Sequence, residues 1–183
     1  MYNKPIVPDT FQIPLVERTN RCLIRPLTVR DVDRDFDAVI SSREYLIDHF
    51  KPETPWPDGL TIEQNLIDLG WHEYEFQNRT SFAYTITDLK DELTLGCCYI
   101  YPSHLDGHEV SVSYWVRSTE LDTGLAQHVG DTLKKWISKS WPFANLYYHH
   151  STEIFRRHDG LQDIFQYLPF YGHVLRVRRV MPA

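Results

Sequence analysis

The chain is sparing with cysteine, glycine and positive charge, and it has no long apolar run. Each shortage removes a class of protein. Its 3 cysteines are Cys22, Cys97 and Cys98. The number is odd and two are adjacent, and neighbouring strand side chains point to opposite faces. Such a set is neither a disulfide framework nor a CxxC metal site, so a reducing cytoplasm is the expected location. No segment approaches the roughly 18 to 20 apolar residues of a membrane helix. Met1-Tyr2-Asn3-Lys4-Pro5 lacks the apolar stretch that follows the charge in a signal peptide. Lys and Arg number 19 against 25 Asp and Glu, a formal net charge of −6. A general nucleic-acid binder carries the opposite imbalance. Neither a membrane nor a nucleic acid is an expected partner.

What remains is ordinary globular material. The 183 residues, 42% hydrophobic and 24% charged, suit one domain over 1–183 with a buried core. Aromatics reach 14%, including 5 Trp and 11 Tyr, which suggests large packed surfaces or a cleft. The 9 histidines include His104 and His108 in a loop and the pair His149-His150. No third ligand stands at a recognisable spacing, so no metal is expected.

Periodicity orders the elements. Residues 1–20, with Pro5, Pro8 and Pro14, read as an irregular lead-in, and 22–26 as a strand. Thr28 and Asp31 resemble a capping box, and Val32, Phe36, Val39 and Ile40 behind them share one helical face. Residues 51–59, rich in proline, are a loop. Thr61 and Gln64 form a second box, opening a helix to about Gln77 with Ile62, Leu66 and Leu69 inward. Strands follow at 81–87, 93–101 and 109–117, joined by short polar loops, with Gly96 as a candidate bulge. A helix over about 123–139 carries Leu125, Val129, Leu133, Trp136 and Ile137 on one stripe. A strand at 145–150, a helix at 152–168 kinked near Asp159-Gly160, and a strand at 174–180 close the chain. Arg176 and Arg178 on that last strand read as a charged edge. The order implies a mixed, mostly antiparallel α/β sheet with helices on both faces.

The stretch 114–130 carries the chemistry. A strand runs into a loop, and the loop into a helix that begins with small residues. That aims backbone N–H groups and the positive end of the helix dipole at one spot, a favourable place for phosphate. Gly124 and Ala126 keep side chains clear of an approaching diphosphate. The same residues also fit an ordinary connection in which Asp122 or Thr123 caps the helix.

In element order, over roughly 21–180, and in the run Tyr114-Trp115-Val116 followed by a short loop and Gly124-x-Ala126, the chain resembles the GNAT N-acetyltransferase superfamily. In that family Arg or Gln, Gly and a small residue stand seven, ten and twelve positions after the strand tyrosine; here these are Leu121, Gly124 and Ala126. The resemblance implies acetyl-CoA as co-substrate and a splayed strand pair. The diphosphate would rest on the backbone of Thr123, Gly124, Leu125, Ala126 and Gln127, and the pantetheine arm would pair with that of Trp115, Val116 and Arg117. Leu121 departs from the pattern and Asp122 adds a carboxylate beside the diphosphate. The missing positive charge falls to Arg117 or Lys134.

Acetylating an amine requires a base, and the family draws an acid from the strand before the diphosphate loop. Glu109 is that residue here, with Ser111 and Ser113 on its face to orient water. The family's proton-donating tyrosine on the last helix aligns with Phe165, downstream of Asp159, and Tyr167 faces elsewhere. The resemblance places Trp56 and Tyr74 near the acceptor. The activity implied is acetyl transfer from acetyl-CoA to a primary amine of a small molecule or peptide, with a homodimer as the candidate assembly. The alternative is a catalytically inactive binding or regulatory module of the same fold.

Overall fold

A computed structural model of the chain describes residues 4–50 and 56–148. Strands β1 (Glu17–Arg18) and β2 (Leu23–Pro26) lead into a short 3-10 turn, Val29–Asp31, and helix α1 (Val32–Ser41). The expected cap is in place: the Asp31 carboxylate accepts the Thr28 backbone N–H at 3.0 Å. Asp31 is buried and also bridges Arg25 and Arg34. Helix α2 is Arg43–Phe50 and α3 is Ile62–Gln77. Thr61 and Gln64 cap α3 reciprocally, each side chain accepting the other's backbone N–H, which satisfies two donors of its first turn.

Strands β3 (Phe82–Thr87), β4 (Thr94–Pro102) and β5 (Val110–Val116) form the antiparallel meander that their alternation implies. A second 3-10 turn, Ser118–Thr123, precedes α4 (Leu125–Ser140), and β6 (Leu146–Tyr148) follows. The sheet runs in sequence order from β1 to β6, antiparallel throughout except for the parallel β5–β6 pair. The helix at 152–168 and strand at 174–180 lie outside the described residues, with His149, His150, Asp159, Phe165 and Tyr167. Among the described residues no helix is long and apolar enough to cross a membrane.

Gly96 sits where β3 and β4 slip register between Ile86 and Thr87. A Cβ there would lie 2.0 Å from the Trp115 carbonyl oxygen, so only glycine lets β4 and β5 approach so closely. The adjacent Cys97 and Cys98 fall in separate clusters on opposite faces of the sheet, as strand geometry demands. On one face α4 packs Leu125, Val129, Leu133, Trp136 and Ile137 onto Phe82, Tyr84, Ile86, Ile100, Val112 and Val116. On the other, α1, α2 and α3 cover Ala83, Cys97 and Trp115.

Four expectations change. Ile62 and Leu66 are exposed, and only Leu69 of the expected α3 stripe is buried. The inward face of α3 is instead Asn65, Asp68, Leu69, His72 and Glu75, because the sheet it meets offers Thr85, Thr87 and Tyr99 rather than a purely apolar surface. Ile40 is likewise partly exposed, and α1 turns Ala38 and Val39 inward. Helix α2 stands where no element was expected; a break at Ser42 separates it from α1. Trp56 is not at a cleft but in the core, 6.0 Å from Phe50, whereas Tyr74 is exposed beside Trp71.

Candidate active site

The exit of β5 is bolted to the corner between α1 and α2. The Arg117 guanidinium donates to Asp37 at 2.6 Å, to the Ser41 hydroxyl at 3.1 Å and to the Thr94 carbonyl, while its backbone N–H bonds to Leu95. The Ser42 hydroxyl accepts the Ser118 N–H at 3.0 Å. Arg117 is therefore buried, with each of its three guanidinium nitrogens bonded in holding the strand end, and is not a spare cation for the diphosphate.

The next residues build a turn with open donors. Gly124 takes φ +76°, ψ 11°, a left-handed conformation that costs glycine little, and then α4 begins. The Thr123 hydroxyl accepts the Leu125 N–H at 3.2 Å and lies 2.9 Å from the Glu120 carbonyl and 3.0 Å from its carboxylate. The His128 N–H bonds to the Gly124 carbonyl, closing the first helical turn. Between them the N–H groups of Ala126 and Gln127 have no acceptor among the described residues. The Gln127 side chain turns away to Asp131. Asp122 is exposed and does not cap the helix, so the amides stay open. Open amides behind a left-handed glycine fit a diphosphate group.

Arg21, which sequence reasoning passed over, comes to this turn from the β1–β2 connection. Its Nη2 donates to the Thr123 carbonyl at 3.1 Å, and its Nη1 lies 3.7 Å from where a Cβ on Gly124 would be. His128 joins it, its Nε2 lying 2.9 Å from the Thr19 hydroxyl.

Beside the turn, β5 pairs with β4 over its whole length. Its other edge meets β6 at Val110, Ser111 and Val112. From Ser113 through Val116 that edge has no strand partner among the described residues. Helix α2 brings His49 to this stretch: the imidazole bonds the backbone of Tyr114 and lies 3.2 Å from the Tyr45 hydroxyl. Burial pushes His49 below the usual histidine range, partly offset by that backbone bond. Its i, i+4 spacing from Tyr45 was the only hint in the sequence.

Glu109 precedes β5 and is exposed. Its Oε2 accepts the N–H of Ala144 at 2.7 Å and of Asn145 at 3.0 Å. Those two bonds hold the carboxyl below the usual glutamate range and so keep it ionised. Ser111 and Ser113 stand on the α1–α3 face, opposite Tyr101 and Tyr99 respectively. Ser111, Ser113 and Trp115 thus share one face of β5, with Glu109 just before its start. Among the described residues no group of three or more His, Cys, Asp or Glu could hold a metal ion.

Comparison with known proteins identifies the family and the fold. Residues 21–154 match the acetyltransferase (GNAT) domain family. No curated protein matches the chain. Among solved structures, it is similar to the ribosomal-protein-S5-alanine acetyltransferase from Vibrio fischeri, with 13% identity and a TM-score of 0.57, covering 69% of this chain and 68% of that one. It is also similar to a ribosomal L7/L12 alpha-N-protein acetyltransferase in complex with coenzyme A, with 13% identity, TM-score 0.55 and 68% of each chain covered. A third is the Salmonella typhimurium acetyl transferase that modifies the N-terminal serine of L7/L12, at 12% identity, TM-score 0.53 and 66% of each chain. Identities this low speak to a shared fold alone. With the family match spanning well over half its length, the chain belongs to the GNAT acetyltransferase family and is an acyltransferase.

Proposed function

We propose that this enzyme transfers the acetyl group of acetyl-CoA to a primary amine, on a peptide N-terminus or a small molecule, by direct attack. One observation carries the reading: the amides of Ala126 and Gln127, without an acceptor among the described residues, open behind the left-handed Gly124 at the exit of β5. The amides would hold the diphosphate, and the backbone of Val116, which faces the edge away from β4, the pantetheine arm; Trp115 and Arg117 turn theirs toward β4, the Arg117 N–H bonding the Leu95 carbonyl opposite. Thr123 and Leu125 complete the turn, since the Thr123 hydroxyl fixes the Leu125 N–H. Acetyl-CoA supplies the activated acyl group when bound.

The acceptor must arrive as a free amine. As the amine nitrogen bonds the acetyl carbon and the thioester C–S bond breaks to release the CoA thiolate, Glu109 accepts the amine proton, directly or through a water held by Ser111, on Oε1, since Oε2 is engaged by the Ala144 and Asn145 N–H groups. The negative charge of Glu109 before that transfer also favours a cationic acceptor. The peptide N-terminus is favoured by the neighbours, two of which are named for acting on ribosomal proteins and a third for modifying an N-terminal serine. Three free, buried thiols suit a reducing cytoplasm.

Calorimetric titration with acetyl-CoA, paired with thioester consumption in the presence of amine-terminated peptides, tests the reading. Binding in the micromolar range is expected, with Glu109→Gln lowering turnover about 100-fold while leaving acetyl-CoA affinity within about twofold. No heat at millimolar acetyl-CoA would refute the site, and unchanged turnover in Glu109→Gln would remove that residue from the role.

A further inference from the structure

We propose that Arg21 is the cation that grips the phosphates of CoA, delivered from the β1–β2 turn to the place that Leu121 leaves without charge. The inference rests on the acetyl-CoA reading above and adds to it the residue that makes the site selective for a phosphorylated ligand.

The turn from which Arg21 projects is held rigidly. The Thr19 hydroxyl accepts the N–H of Arg21 at 3.1 Å and of Cys22 at 3.0 Å, and the Thr19 N–H bonds the Cys22 carbonyl. His128, in the first turn of α4, ties that same hydroxyl to the helix. Arg21 thus keeps its place relative to the Ala126 and Gln127 amides through α4 itself. The guanidinium has five N–H donors, and among the described residues Arg21 is recorded spending them on Thr123 alone, through Nη2. The side chain is exposed. Its remaining donors are available in the fork geometry that matches a phosphate.

The electrostatics of the turn require such a group. Glu120 and Asp122 place two carboxylates in the segment before the amides, on a chain of net charge −6. A diphosphate entering there meets repulsion that two neutral N–H groups offset only in part. Among the described residues, the cations considered in the sequence or bonded nearby are committed or remote. Arg117 is held by Asp37, Ser41 and Thr94, and Arg25 by Asp31 and Asp91. Arg18 reaches the Leu89 carbonyl. Lys134 lies nine residues beyond the start of α4, about 14 Å along the helix at 1.5 Å per residue.

The test compares the wild type, Arg21→Gln and Arg21→Lys by calorimetric titration with CoA at low and high NaCl, with thermal melts as a check on folding. Arg21→Gln should weaken CoA binding about tenfold or more at low salt and flatten the salt dependence of affinity, with the melting temperature kept. Arg21→Lys, which keeps the charge, should bind within about threefold of wild type. CoA affinity in Arg21→Gln within about twofold of wild type would overturn the proposal and leave the acetyl-CoA reading standing. Equal losses in both variants with an unchanged salt dependence would overturn it too, since Arg21 would then only brace Thr123. Wild-type protein that fails to bind CoA would bring down the underlying reading instead.

Discussion

The two faces of the sheet are built on different physical terms. Under α4, Trp136, Trp141, Phe82 and Tyr84 pack in edge-on contacts 4.8–6.3 Å apart, and the Tyr84 hydroxyl finds the Pro14 carbonyl at 2.7 Å. Burial of apolar area alone explains that layer. Under α1 and α3 the buried side chains include Asp35, Asn65, Asp68, His72, Thr85 and Thr87. There Trp115 donates to the Tyr99 hydroxyl at 3.3 Å, Cys97 to Asp35 at 3.3 Å, and Asn65 to the other Asp35 oxygen at 3.0 Å. Asp68 Oδ2 and His72 Nδ1 meet no partner among the described residues. The difference separates two duties. The apolar layer fixes α4, and with it the open amides at its start. The polar layer runs on to Ser111 and Ser113, along the same face of β5.

Substitutions on the two faces should therefore differ in kind as well as in size. Leu133→Ala, in the α4 layer, should cost about 3 kcal/mol in urea unfolding at any pH between 5 and 8, since it leaves a cavity and touches no titrating group. A loss that varied with pH would break the comparison. Asp68→Asn should act through pH, with an effect on the order of 2 kcal/mol. Burial, reinforced by the nearby Asp35 charge, pushes Asp68 up to about 7. The folded state therefore holds a proton that the unfolded state releases near 4, and Asp68 withdraws stability as pH rises from about 4 to 7. Relative to wild type, Asp68→Asn should grow more stable across that window. His72 has the opposite sign: burial brings it down to about 4, so it adds stability as pH climbs from 4 to 6.5. Parallel stability curves for wild type and Asp68→Asn would show that the polar layer holds no stored proton.

The same contrast explains what could be read in advance. Helix α4 was legible because every side chain that it buries at 125, 129, 133, 136 and 137 is apolar, and the meander because its strands alternate. Both capping boxes were legible because they are local. Helix α3 was misjudged in its inward face, since Asn65, Asp68 and His72 read as solvent-facing residues until a sheet of threonines and tyrosines is placed against them. Helix α2 buries only Leu46 and Phe50 in eight residues, too few to set a period. At the site, Gly124 is legible as a residue that keeps side chains clear of a diphosphate, while its left-handed φ of +76° belongs to the structure. Arg117 reads in the sequence as one of two candidate cations because no pattern ties it to Asp37, 80 residues away. Arg21 was missed for the same reason, being 102 residues from Thr123.

The central claim is that CoA lies across the N–H groups of Ala126 and Gln127 and along the edge of β5. Recording amide resonances of 15N-labelled protein during a CoA titration addresses it directly. The largest shifts should fall on 114–117 and 124–127 and at Arg21, with little change on the outward side of α3. Saturable binding that leaves 124–127 unmoved while shifting residues elsewhere would contradict the account.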